Sequence, residues 1–521
     1  MHRLVIALTS LLTAVGVGVV GFYALVGGIT ADRAAGLAPA STAFYATAYL
    51  QPSAGQQAQL AGILSRLPGF EDTAALDTKI DELAQRFFGE AGVDYRADVK
   101  PWLGNQVSIA AGGVDASGEP TDLVVIADVK DAAAAAAGLE SLLPGEASPS
   151  QETYQGLTLT TSEQGTYAIV DGMLVAAETP DRVRVAIDVA QDRSDALSDL
   201  PAFADAMRTL PADHLAAMWI DLQQVAAAAP IDADAAADMA GFSTFAMALL
   251  AEEAGFRLVG QLPVDPESVG AAVRDALAAG AAAPQVTGAM PADTELSFVM
   301  FNLRAALERT EEELDEQSPD VAATINQLRV LAGFGLGIDI DNDLLPLVDG
   351  EVGVAVSGIA DGTPGGVLVL RPTDAAAGAA ALDRVVEALE SRGSSADRTE
   401  VEGSELVTID VPELGTVAWA VADEIIIMGL TPDEVSAALE ASAAATTLGN
   451  SEAYRSAFGA ADRGGTELFV DLGAFVPLLL DEAGDQLPAE ARDILAHVEA
   501  FALTTPSRPD RFEFHATLTI R

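Results

Sequence analysis

The chain has 521 residues, with 27 Lys and Arg against 78 Asp and Glu, a formal net charge of −51 and 50% hydrophobic residues. Disorder requires high charge together with low hydrophobicity, so this composition specifies a folded chain, long enough for more than one domain. The acidity excludes a phosphate-tracking nucleic-acid binder, and the lack of cysteine excludes disulfides, thiolate nucleophiles and Cys-ligated metal centres.

At the N-terminus, His2 and Arg3 precede Leu4 to Gly28, a run without a charged side chain. At about 1.5 Å per residue a helix of this length crosses a hydrocarbon core of about 30 Å. A cleaved signal peptide has a shorter apolar region, about 7–15 residues, with a small-x-small site directly after it. Here the nearest such site, Ala38-Pro39-Ala40, lies well beyond the run. Residues 4–28 are therefore expected to be a retained signal anchor. Arg3, set against the balanced Asp32/Arg33 pair, places the N-terminus in the cytoplasm and the bulk outside a single-pass cell-membrane span.

Beyond it the sequence repeats itself. Pro39-Ala-Ser-Thr, followed by Phe44 and Tyr45, matches Pro291-Ala-Asp-Thr, followed by Leu296 and Phe298. Asp98-Val-Lys-Pro-Trp-Leu-Gly before Val107 matches Asp343-Leu-Leu-Pro-Leu-Val-Asp-Gly before Val352. Leu123 and Asp131 match Val367 and Asp374; Tyr154-Gln-Gly matches Val401-Glu-Gly; Ala168 through Asp181 matches Ala420 through Asp433. Ile220-Asp-Leu matches Val470-Asp-Leu, and Phe245 and Phe256 match Phe501 and Phe512. The offsets run 252, 245, 244, 247, 252, 250 and 256 in unbroken order. Surface-loop insertions produce such drift. The expected organisation is an anchor at 4–28, a first repeat at 39–265, a linker at 266–290 and a second repeat at 291–521.

Each repeat reads as a strand, helices, two strands, an Ala-rich helix, two strands, two helices, a strand, a helix and a hairpin. The Ala-rich helices begin after Asp131 and Asp374, and further helices begin after Thr179 and Thr431 with proline in the first turn. Pro266 is read as opening a short linker helix. Phe512, Phe514, Ala516, Leu518 and Ile520 alternate at period two, which predicts a half-buried final strand with His515 on its exposed face. The fold class is α+β: two tandem homologous repeats, each a mixed or antiparallel sheet with helices packed over one face.

Candidate chemistry is sparse. Asp339-Ile-Asp341-Asn-Asp343 opens like a calcium loop, but Leu344 stands where a sharp turn needs glycine and Gly350 where a bidentate glutamate belongs. Gly333-Phe-Gly-Leu-Gly lacks the remaining glycine or lysine of a phosphate loop. Glu311 to Glu316 reads as a solvated helix face. Among His2, His214, His497 and His515 no catalytic arrangement is recommended by spacing. Asp221 and Asp471, at equal places in the repeats, read as helix caps. Trp102, matched by Leu347, reads as a packing residue. No catalytic, cofactor-binding or metal-ligating residue is assigned.

Asp98-Val-Lys-Pro-Trp-Leu-Gly, the preceding Pro39-Ala-Ser-Thr strand and the N-terminal span together resemble a bacterial family known only as a domain of unknown function. That resemblance implies a membrane-anchored envelope protein and carries no activity. The expectation is a non-enzymatic binding or scaffold protein of the cell envelope. It would be held to the membrane through residues 4–28 and would take an unknown protein partner or an apolar ligand, without nucleic acid or cofactor. Lipid or apolar-ligand transfer, and carboxylate-dependent hydrolysis, are the alternatives.

Overall fold

The computed structural model describes residues 32–521 except 69, 71–80, 83, 86–87, 90–92, 115–119, 143–148, 229–239, 309, 311–337, 360–361, 412–414, 460 and 484–488. The predicted anchor at 4–28, the acidic run at 311–316 and the glycine turn at 333–337 lie outside the described residues. Among those described, no helix is long and apolar enough to cross a membrane.

Two units emerge. The first runs to Arg274 and includes Pro509–Phe514; the second comprises Asp275–Arg508 and His515–Arg521. The boundary falls inside the predicted linker. The helix there spans Ala271–Ala279, not from Pro266, because the Asp265 carboxylate accepts the Glu267 amide and the Ser268 hydroxyl and holds that stretch in a turn.

The first unit's strands are β1 (Phe44–Tyr49), β2 (Leu103–Ala111), β3 (Val124–Val129), β4 (Ser150–Tyr154), β5 (Leu157–Ser162), β6 (Gly165–Val170), β7 (Met173–Ala177), β8 (Ala216–Asp221), β9 (Thr244–Ala251) and β10 (Gly255–Pro263). They form an antiparallel sheet in the order β4-β5-β6-β7-β3-β2-β1-β8-β9-β10. The second unit has β11 (Leu296–Phe301), β12 (Glu351–Ser357), β13 (Gly365–Arg371), β14 (Ala396–Val401), β15 (Ser404–Val411), β16 (Gly415–Ala422), β17 (Ile425–Gly429), β18 (Glu467–Asp471), β19 (Val498–Thr504) and β20 (Arg511–Ile520, from His515 onward in this unit). Their order is β14-β15-β16-β17-β13-β12-β11-β18-β19-β20, the same path strand for strand.

The agreement extends to register. Phe44 faces Ile220 as Leu296 faces Val470, Thr160 faces Tyr167 as Val407 faces Trp419, and Ile220 faces Phe245 as Val470 faces Phe501. One match shifts by a residue. Val124 faces Ala110 and Val367 faces Ala355, so the counterpart of Val367 is Val124, not Leu123. The correspondence also begins earlier than expected. The Arg33 amide donates to Gln106 Oε1 as the Gln285 amide donates to Glu351 Oε1, and the Leu197 and Leu448 amides donate to the carbonyls of Ala38 and Met290.

Four strands, not two, follow each Ala-rich helix. Tight turns make this possible. Gln155-Gly156, Asp171-Gly172 and Glu402-Gly403 carry positive φ at both central residues, as two-residue hairpin turns require.

Helices α1 (Ala54–Leu64), α2 (Ala132–Leu142), α3 (Pro180–Ala190), α4 (Pro201–Thr209), α5 (Leu222–Ala228) and α6 (Ala271–Ala279) are followed by α7 (Ala375–Glu390), α8 (Pro432–Ala444), α9 (Glu452–Phe458), α10 (Leu472–Ala483) and α11 (Ala489–Leu495). In the second unit they cover both sheet faces, contrary to the one-face expectation. Ala418, Ala420 and Ile427 pack with α8 and α9, while Trp419 and Ile426 pack with α7. Successive strand residues point to opposite faces, so strands apolar at both parities need cover twice.

The predicted caps are present after Asp131, Asp374 and Thr431, whereas the Thr179 side chain makes no cap bond and Pro180 opens α3. Asp131 accepts the Ala133 and Ala134 amides, Asp374 accepts the Ala377 amide, and Thr431 forms a capping box with Glu434. β20 differs from expectation. Its polar parity faces the α8/α9 core: Thr517 lies opposite Ala502, and Thr519 Oγ1 accepts the Ala500 amide at 2.9 Å. His515 is consequently half-buried, not exposed.

Trp102 is fully buried; its indole donates to the Asp98 carbonyl at 2.5 Å, and a Cβ at Gly138 of α2 would come within 2.8 Å of its Nε1. The ring therefore wedges between α2 and the turn that precedes β2. Trp102→Ala is expected to destabilise the first unit by about 3–5 kcal/mol, read as a lowered urea midpoint, with Gly138→Leu equally harmful and Trp102→Phe milder.

Candidate functional site: an apolar sheet face in the second unit

Alternation in β11 sends Ser297 and Val299 toward the α8/α9 core and Leu296, Phe298 and Met300 to the other face. Register aligns these with apolar neighbours. Phe298 faces Val354 on one side and Leu468 on the other, Val354 faces Leu368, and Leu468 faces Leu503. A second row runs Val356, Leu296, Val470, Phe501 and Leu518. With strands about 4.8 Å apart, five strands present a wholly apolar strip about 20 Å wide.

This strip is central in the sheet yet open. Phe298 is 37% exposed and Val354 38%. At the matching place in the first unit, Ile109 is only 5% exposed. Near the strip's edge α10, Leu-Gly-Ala-Phe-Val-Pro-Leu-Leu-Leu-Asp-Glu-Ala, packs on β19 and leaves Leu478 42% exposed. Phe298 and Val354 thus leave apolar side chains open to water at the centre of a sheet, which makes this strip the candidate site.

The opposite face holds a cavity of about 620 Å³ beside the N-terminus of α8, lined by Thr294, Ser357, Thr363, Gly365, Asp433 and Glu434 among others. Glu434 is already engaged, accepting the Gly366, Leu430 and Thr431 amides. In the first unit the corresponding positions carry Arg182 and Asp122, which form an ion pair. The cavity is thus the space left where glycine and a capping glutamate replace that pair.

Two carboxylates are buried in the second unit at places where the first carries uncharged residues. Glu467, 2% exposed, accepts the Tyr454 hydroxyl at 2.7 Å and the Arg463 guanidinium at 2.9 and 2.8 Å. Glu351, 3% exposed, accepts the Gln285 and Val286 amides at 2.6 and 2.9 Å. Burial pushes the Glu351 carboxyl above its ordinary value, the two amides and Arg371 pull it down, and the charge of Glu467 adds to the rise. Burial likewise pushes the Tyr454 hydroxyl far above its ordinary range, with Glu467 reinforcing it. Gln106, Ala217 and Phe203 occupy the places of Glu351, Glu467 and Tyr454 in the first unit. Both oxygens of Glu467 and Oε1 of Glu351 are tied within the fold, so the cluster is an internal brace.

The residues singled out in the sequence are dispersed. Asp221 accepts the Gln224 amide at 3.0 Å and Asp471 the Ala474 amide at 3.2 Å, each at a helix start. Asp339 accepts the amides of Asp341 and Asn342, and Asp343 is held by Arg384 at 2.7 Å, which closes the acidic loop on itself. His214 and His497 each place Nδ1 2.8 Å from a nearby carbonyl. Among the described residues no group of three His, Asp or Glu is arranged for a metal. The apolar strip went unrecognised in the sequence because Leu-Ser-Phe-Val-Met-Phe reads as an ordinary core strand; a strand apolar at both parities was the available signal.

Two outcomes follow from this geometry. Glu351→Gln keeps an acceptor for the Gln285 and Val286 amides, as Gln106 does for Arg33. Because the folded carboxyl titrates above its unfolded value, its ionisation destabilises the fold as pH rises through that window. The variant should therefore be more stable than the parent at neutral pH and lose its advantage below the ordinary glutamate range, checked by urea unfolding across pH. Asp221→Ala and Asp471→Ala should each cost about 1 kcal/mol of stability in the same assay, leaving apolar-ligand retention unaltered.

Comparison with known proteins places the chain only by family. No curated protein matches it. Three crystal forms of TP0453 are similar over 44–47% of this chain and 81–84% of theirs, at 10% identity and TM-scores of 0.24 and 0.25, too distant to carry an argument. A family model described as a protein of unknown function, DUF3352, matches residues 4–520, nearly the whole length and including the apolar N-terminal run, so the chain belongs to that family.

Proposed function

We propose that this is a membrane-anchored, extracytoplasmic binding protein of the cell envelope whose second unit takes an apolar ligand, a lipid acyl chain, on the strip centred on Phe298 and Val354. It does so without a chemical step. The observation that carries the reading is the contrast in exposure at one sheet position, 38% at Val354 against 5% at Ile109, within otherwise matching registers. Its strip side chains are hydrocarbon, with no polar group to select a hydrogen-bonding ligand, and an apolar anchor at 4–28 places lipid within reach. The shared strand order and register support an origin of the two units by duplication, after which the second opened this face. Asp221 and Asp471, the paired carboxylates a hydrolase would draw on, serve as helix caps.

Native mass spectrometry of the full chain, extracted in mild detergent and then exchanged out of it, tests the proposal. Lipid should be retained by the parent protein. Phe298→Glu should lower the retained fraction at least tenfold, since removing a buried aromatic contact forfeits about 1.5–3 kcal/mol. Absence of any bound lipid, or equal retention by a folded Phe298→Glu variant, would falsify the ligand assignment.

A further inference from the structure

The start of the first unit is built as a clamp. Asp32 Oδ1 accepts the Tyr45 hydroxyl at 2.7 Å, the Gln106 side-chain amide at 2.5 Å and the Ala35 backbone amide at 3.1 Å. Tyr45 is fully buried, and its network continues through Ser108 to Thr47. Arg33 pairs with Asp128 at 2.9 Å and donates to the Asp171 carbonyl at 2.5 Å, which ties the segment to the β6–β7 turn and to β3. Ala34, Ala35 and Ala38 are buried beneath it. The matching segment of the second unit has Pro284 and Gln285 where Asp32 and Arg33 stand, so the charged clamp belongs to the copy that follows the apolar run.

Chain geometry then limits the distance to the bilayer. From Gly28, the end of the predicted span, to Asp32 there are four peptide links, which reach at most about 14 Å. We infer that residues 32–38 are a rigid collar that seats the β6–β7 turn end of the first unit against the outer lipid headgroups, where a flexible tether would leave it free. The inference rests on the anchoring proposed above.

Local charge suits that seat in a chain of net charge −51. Arg33 neutralises Asp128, Lys100 and Arg96 share Asp81, and Asp131 is engaged as a helix cap. Lys130 is exposed directly after Val129, whose amide donates to the Gly172 carbonyl of the same turn, which leaves a cation near Asp171. Acidic groups repel anionic headgroups; here Asp128 and Asp81 are each paired with a cation, which weakens that repulsion.

The absence of cysteine allows single-site labelling. Lys130→Cys lies at the collar end, and Glu163→Cys lies at the β5–β6 turn, one strand length or about 17 Å away. Each full-length variant would carry a fluorophore and be reconstituted into phosphatidylcholine vesicles containing headgroup-nitroxide lipid. The expected result is flotation with vesicles and quenching at least threefold stronger at residue 130 than at residue 163. Asp32→Ala combined with Arg33→Ala should float equally but lose most of that difference. Equal quenching at both sites in floating parent-type protein overturns the collar while sparing the anchor; protein that fails to float overturns the anchor and the collar together.

Discussion

Every feature of each unit depends on one constraint: an antiparallel sheet whose strands are apolar at both parities has two faces to remove from water. A strand residue and its successor point in opposite directions, so Trp419 and Ala420 serve different cores although adjacent in sequence. In the second unit α7 answers for one face and α8 with α9 for the other. At the β11–β12 centre Phe298 and Val354 remain open to water.

The two units solve the same topology with different polar inventories. The first has neutral buried polar side chains at Gln106, Ser108 and Thr47, a charged clamp at Asp32 and Arg33, and a buried Arg257 paired with Glu252 at 2.7 Å. The second introduces Glu351, Glu467 and Arg463 into its interior. Burying carboxylates costs desolvation free energy, which the Gln285 and Val286 amides offset at Glu351 and Tyr454 and Arg463 offset at Glu467. Change is concentrated at strand ends and helix starts, where Arg182 and Asp122 give way to Glu434 and Gly365, whereas strand order and cross-strand partners are the same. A sheet tolerates exchange of side chains at its rim more readily than a one-residue slip, which would invert both faces at once.

Much of this was legible beforehand for local reasons. Helix starts at Asp131, Asp374 and Thr431 are set by capping side chains within four residues, and the start after Thr179 by Pro180 in the first turn. The errors arose where partners are remote. Matching Leu123 to Val367 is one residue out because a run of Val, Leu and Ile carries no internal landmark, and only pairing with Ala110 and Ala355 sets its phase. His515 is half-buried against the expectation from alternation, which gives the period of β20 but not which parity meets Ala500 and Ala502.

By itself, then, the sequence determined the acidic folded class, the apolar N-terminal run, the helix starts and the spacing between matching segments. These follow from neighbours a few residues apart. Tertiary structure alone decided which sheet face is covered, that Val354 is open where Ile109 is closed, and that Glu351 and Glu467 share an interior. Exposure and burial of charge are properties of what packs against a residue, and those neighbours lie tens to hundreds of positions away along the chain.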